Sequence, residues 1–127
     1  MFLAIDLGRR TTGLAISDSS LATPYKTISH KSTKVATTKI SEIIDELEVN
    51  TIVIGFVEGK IKTFFENFAR QLKVAKPNCQ VVLWDETLTS RQARESLVKL
   101  GIAKKKRGQK EHETAAALIL QSYLDSR

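Results

Sequence analysis

Cysteine is almost missing from this chain: Cys79 is the single thiol in 127 residues. That excludes a disulfide framework and a cysteine-only zinc site, and it makes a reducing, cytoplasmic setting the expectation. Long apolar runs are missing too. The longest, Ala115 to Leu120, is six residues, against the roughly 20 that a membrane helix needs. The amino terminus has no basic segment and meets a carboxylate at Asp6, which argues against a secretory signal peptide. There is no internal repeat and no long linker, so residues 1–127 are expected to form one domain without membrane contact. With 42% hydrophobic residues, a chain of this size can close a single core.

Acid is locally absent as well. The net charge is +6, and residues 99–110 carry six bases and no acid, so the rest of the chain is neutral. The basicity is one strip, Lys104, Lys105, Lys106, Arg107 and Lys110 with Lys99 before them. Such a strip suits phosphate backbones or acidic partners; the alternative is a solvated loop. It contains no aromatic residue, so sequence reading is not expected of it. Arg9 and Arg10, just after Asp6, are counted with the strip as candidate nucleic-acid contacts.

The apolar pattern predicts β-β-β-α-β-α-β-α-α. Phe2 to Ile5 and Gly13 to Ile16 read as two strands at hairpin spacing, and Tyr25 to Ser29 as a weaker third. Ile40, Ile43, Ile44 and Leu47 mark one face of a helix over Thr37 to Glu48. Thr51 to Gly55 reads as a strand buried on both faces. Phe64, Phe65, Phe68 and Leu72 mark a second helix, and Val81 to Trp84 another buried strand. A third helix is expected over Thr89 to Leu100, with Thr89 or Ser90 as its cap and Gly101 at its end. A fourth is expected over Glu111 to Leu124. Right-handed crossovers make strands 1, 4 and 5 parallel, with strands 2 and 3 antiparallel beside strand 1. The expected fold class is therefore α/β, a mixed five-stranded sheet with helices on both faces.

In that sheet Asp6, Gly55 and Glu86 lie at the carboxyl ends of parallel strands, the edge where open α/β sheets bind ligands. Asp18 ends an antiparallel strand and belongs at the opposite edge. Converging carboxylates suit a divalent cation, whose remaining positions water and substrate phosphate fill, and a pair of such ions can stabilise both oxygens of a phosphodiester displacement. The alternative is that these acids only cap loops or helices. At the start of the last helix, His112 shares a face with Ala116, Ile119 and Tyr123, and Glu113 with Ala117, Leu120 and Leu124. Either could turn toward the strand ends, or Glu113 could be a first-turn acid favoured by the helix dipole.

Several motifs together resemble one family. They are Ala4-Ile5-Asp6-Leu7-Gly8, Gly13-Leu14-Ala15-Ile16-Ser17-Asp18, Ala22-Thr23-Pro24, Ile52-Val53-Ile54-Gly55, Trp84-Asp85-Glu86-Thr87-Leu88-Thr89-Ser90, Lys104-Lys105-Lys106-Arg107 and Ala115 to Leu124. In order and spacing they resemble the YqgF (RuvX) family, whose members have an RNase H-like fold. The family is described as Holliday junction resolvases and as nucleases maturing the 5′ end of pre-16S ribosomal RNA. The resemblance implies a metal-dependent nuclease that uses Mg²⁺ or Mn²⁺. Its substrate would be structured RNA, namely the ribosomal RNA precursor, or branched DNA. The implied site has an acid on strand 1, an acid after the last strand and an acid on the final helix: Asp6, Glu86 and position 112. Position 112 is His, between Glu111 and Glu113. Either His112 is a nitrogen ligand, with preference shifted toward Mn²⁺, or Glu113 substitutes for it, or the site is weakened. Gly55-Phe56-Val57-Glu58-Gly59 also departs from the family's longer Gly-Leu-Pro loop, and Thr87 stands where Arg is usual.

Two rival readings remain. Asp6-Leu7-Gly8 with Thr11-Thr12-Gly13 resembles the first phosphate loop of actin-like ATPases and sugar kinases, but 127 residues leave no room for their second domain and there is no Walker-type loop. A non-catalytic RNA-binding module would keep the basic strip without the chemistry. With no coiled coil or added dimerisation segment, a monomer or weak homodimer is expected.

Overall fold

The structure is a computed structural model that describes residues 1–57, 62–86, 95 and 111–127. The helix expected over Thr89 to Leu100 lies outside the described residues except for Glu95, which is helical; Thr87, Glu58, Gly59 and the basic strip Lys104, Lys105, Lys106, Arg107 and Lys110 also lie outside. The described elements run β1 (Phe2–Leu7), β2 (Thr11–Ser17), β3 (Thr23–Ser29), α1 (Thr33–Leu47), β4 (Thr51–Phe56), α2 (Lys62–Ala75), β5 (Gln80–Asp85) and α3 (Glu111–Asp125). The strands form one sheet in the order β3-β2-β1-β4-β5. β1 is parallel to β4 and β4 to β5, while β2 is antiparallel to both β1 and β3. This is the mixed sheet that the pattern predicts.

Strand alternation sorts the core into two layers. Leu3, Ile5 and Leu7 of β1, with Ile52 and Ile54 of β4, meet Ile40, Ile43 and Ile44 of α1 and Phe68 and Leu72 of α2. Ala4, Ala15 and Val53 face the other way, onto Ala116, Ala117, Ile119 and Leu120 of α3. The unbroken β-branched run of β4 follows from this, because both faces of that strand are covered. Small residues dominate the α3 side, so this helix sits close to the sheet. Gln121 fixes its outer half: the buried amide accepts from the Ala22 N–H at 2.9 Å and donates to the Ser20 carbonyl at 3.0 Å.

Several boundaries differ from the sequence reading. α1 begins at Thr33, not Thr37, because Ser32 is its N-cap and accepts from the Val35 N–H at 3.3 Å. β3 begins at Thr23 and includes Pro24; the register shifts there, between Leu14 and Ala15. An edge strand tolerates a proline at such an irregularity. β1 and β2 are longer than their apolar runs, so Asp6 sits inside the hydrogen-bonded ladder, opposite Gly13 and Gly55.

Candidate active site

One row of residues crosses the sheet near the carboxyl edge of the parallel strands. It reads Thr27, Gly13, Asp6, Gly55, Trp84 from β3 to β5. Alternation turns this row toward α3. Asp6 is thus flanked on both sides by residues without side chains. Each glycine is required by a close approach: a Cβ at Gly13 would collide with the His112 carbonyl, and one at Gly55 would collide with the Ile119 side chain and stand 3.3 Å from Cγ of Glu86. The bare backbone lets the first turn of α3 and the end of β5 close around the Asp6 carboxylate.

Asp6 and Glu86 meet there, close enough for each carboxyl group to shift the other's proton affinity. Burial raises the Asp6 pKa above its ordinary value, against the opposing effects of His112 and of the hydrogen bond from Glu86. Glu86 is pushed up to about 7, first by burial, then by the negative charge of Asp6 and the hydrogen bond with it, and last by Asp85. Two carboxyls in this relation share a proton when no cation lies between them.

His112 and Glu113 part company at the helix start. His112 Nδ1 lies 3.7 Å from Asp6 Oδ2, and its Nε2 is 3.4 Å from the Thr11 hydroxyl. Glu113 is buried and faces the opposite flank, accepting a hydrogen bond from the Thr27 hydroxyl at 3.2 Å. Helical neighbours diverge by about 100°, so the helix that brings His112 to Asp6 takes Glu113 to β3. Asp18 follows β2 at the opposite edge, beside the start of β1.

The donor set fits a hard divalent cation. Among the described residues no three His, Cys, Asp or Glu side chains enclose one point. Two adjacent carboxylates are nonetheless what Mg²⁺ commonly takes from a protein, with water and substrate oxygens completing the shell. Asp6 and Glu86 would hold it, with His112 next to Asp6.

The sequence profile of a family described as "RuvX: Holliday junction resolvase" matches residues 1–126. The chain belongs to the RuvX family. Its relatives include a protein of Geobacillus sp. (strain WCH70), 38% identical, covering 98% of this chain and 97% of the relative. Another, from Staphylococcus aureus (strain JH9), is 31% identical and covers 98% of this chain and 94% of the relative. Both carry the name "Putative pre-16S rRNA nuclease". Among solved structures, T. thermophilus RuvC in complex with a Holliday junction substrate aligns with a TM-score of 0.70 at 12% identity, covering 100% of this chain and 96% of that one. The fowlpox virus Holliday junction resolvase aligns with a TM-score of 0.60 at 10% identity, covering 99% of each chain. The fold of this RuvX-family chain is therefore RNase H-like.

Of the remaining RuvX candidates, two lie among the described residues, at the same edge. Arg9 and Arg10 are exposed in the turn between β1 and β2. The Arg9 guanidinium lies 5.9 Å from the Phe64 ring centroid, toward α2, while Arg10 lines a cavity toward α1. Thr11 and Thr27, which hold His112 and Glu113, escaped the sequence reading. Their roles depend on strand register, Thr27 being the direct partner of Gly13 and Thr11 lying two residues before Gly13 on β2.

Proposed function

We propose that this RuvX-family chain is a metal-dependent nuclease that hydrolyses phosphodiester bonds in the cytoplasm, acting on the 5′ end of the pre-16S ribosomal RNA precursor. The observation that carries the proposal is the juxtaposition of Asp6 and Glu86 at the carboxyl edge of the sheet, beside the side-chain-free Gly55. The substrate class comes from the names of the relatives. A bound Mg²⁺ or Mn²⁺ supplies an acidified water and screens charge on the phosphate. The chain's own residues do the rest. Asp6 and Glu86 hold the cation; His112 stands beside Asp6, favours its ionised form, and serves as the third site residue in place of an acid. Glu113, turned to Thr27, anchors the helix start instead of ligating. Arg9, Arg10, Lys104, Lys105, Lys106, Arg107 and Lys110 provide phosphate contacts around this centre.

A second reading, branched DNA as substrate, is favoured by the family description and by the likeness to a RuvC bound to a Holliday junction. One experiment separates them. The chain is incubated with a 5′-extended 16S precursor and with a four-way DNA junction, in Mg²⁺ and in Mn²⁺. The expected result is metal-dependent RNA cleavage, abolished by Asp6→Asn, reduced by His112→Ala and retained by Glu113→Ala. A dead Glu113→Ala that still folds, beside an active His112→Ala, would move the third ligand by one residue. Binding without cleavage in either metal would leave an RNA-binding module.

A further inference from the structure

Beside the candidate active site, a cavity of about 550 Å³ opens between the β1–β2 turn, the end of β3 and the start of α1. Arg10, Lys31 and Lys39 line it, and among the described residues no carboxylate does. Lys39 is held across it by a 2.7 Å hydrogen bond to the Ser29 carbonyl. The amino terminus of α1, a 15-residue helix with no acid in its first turn, abuts the same space, so its free N–H groups add positive potential. His30, which also lines the cavity, is only 6% exposed. Its Nε2 is bonded to the Thr12 hydroxyl at 2.7 Å, and the Ser32 backbone, which favours the protonated ring, leaves it without a well-formed second hydrogen bond. A buried ring nitrogen without a partner is uncommon.

We propose that this cavity is a phosphate subsite, which receives a backbone phosphodiester of the substrate strand close to the bond cut at Asp6 and Glu86. Three cations and a helix amino terminus are complementary to a phosphate, and the buried His30 ring lies against the same space. Position ties the cavity to the chemistry. Thr11 lines it, the Thr11 hydroxyl is 3.4 Å from His112 Nε2, and His112 Nδ1 is 3.7 Å from Asp6. A strand with one phosphate over the acids therefore has a neighbouring phosphate within reach of Arg10, Lys31 and Lys39. The identity of the ligand as substrate rests on the nuclease reading; the binding of phosphate does not.

The test uses the full chain without divalent metal, titrated separately with inorganic phosphate and with a short single-stranded RNA ending in a 5′-hydroxyl. The His30 ring nitrogens and the amides of Thr33 and Lys34 are followed by nuclear magnetic resonance, and RNA affinity is measured across a salt series. RNA is expected to move these signals. The double variant Arg10→Gln/Lys39→Gln is expected to lose the shifts and to flatten the log-affinity against log-salt slope by about 1.4, about 0.7 for each lost single-strand contact. Arg70→Gln, on the distant α2, should leave the His30 shifts intact. Lys31→Gln, at an exposed position, gives about half the slope change if the double variant does not fold. RNA that binds with these signals unmoved and the slope unchanged would overturn the proposal. Inorganic phosphate moving them while RNA does not would assign the cavity to free phosphate and overturn it as a strand site. Loss of the nuclease reading is distinct: RNA would still fill the cavity, and no bond would be cut in Mg²⁺ or Mn²⁺.

Discussion

Replacing Asp6 by Asn should make the metal-free protein more stable, although it should abolish cleavage. Carrying Glu86 from its ordinary 4.5 to about 7 corresponds to at most about 3–4 kcal/mol. The residue is only half-buried, and solvent screening reduces this to roughly 1–1.5 kcal/mol. Burial is the largest cause and survives the substitution; the charge of Asp6 and the hydrogen bond with it do not. The substitution also removes a carboxylate that burial itself opposes. Together these give an expected gain of about 1 kcal/mol near pH 8. The sign with pH follows from proton binding. The folded parent holds a proton on Glu86 that the unfolded chain has released, so this contribution is full below 4.5 and is lost as pH rises through about 7. The gain from Asp6→Asn should therefore be smaller near pH 5. Urea unfolding followed by fluorescence of Trp84, the single tryptophan, measures it, because Trp84 packs edge-on against Tyr123 at 5.5 Å. Mg²⁺ at about a hundredfold excess over its Kd should then stabilise the parent by about 2.7 kcal/mol and the variant far less. An Asn variant no more stable than the parent near pH 8, or an equal response of both to Mg²⁺, would refute the reasoning.

Three other outcomes are expected. Gly13→Ala drives a Cβ into the His112 carbonyl, so it should cost about 1–3 kcal/mol in a urea titration and lower cleavage further by shifting the first turn of α3. Glu48 closes α1 in the left-handed region, with φ 54; Glu48→Gly should raise stability by about 0.5–1 kcal/mol, seen as a higher denaturant midpoint. Replacing Lys104, Lys105 and Arg107 by Ala should flatten the salt dependence of RNA binding by about two, at about 0.7 per contact, and an unchanged slope would reduce the strip to a solvated loop.

The sheet was legible because its signals are local and redundant. The β4 run is β-branched without interruption, α1 shows its isoleucine face, and short connections leave one arrangement of parallel and antiparallel strands. Asp6 and Glu86 were legible for the same reason, since strand direction alone places both at one edge. Boundaries were harder to read. Ser32 caps α1 through a single side-chain hydrogen bond, and nothing in the apolar pattern marks it. The cavity at His30 was hidden for a different cause: Arg10, His30, Lys31 and Lys39 come from a turn, a strand end and a helix. Their convergence depends on the register of β2 against β3, which composition does not encode. Which of His112 and Glu113 lies beside Asp6 depends on the helix azimuth, and the contact at Gly13 sets that.

That contact also separates architecture from chemistry. The first turn of α3 is located by the His112 carbonyl over Gly13 and by Glu113 on Thr27, and the rest of the helix by alanines, aliphatic residues and Gln121. The side chain at 112 hangs beyond this anchorage, with 41% of its surface in solvent. Exchanging it therefore leaves the helix where it is. Position 112 acts as an interchangeable fitting on a fixed mount: imidazole, carboxylate or amide would each be delivered to the same place beside Asp6, so exchanges there probe the proposed centre without moving the scaffold.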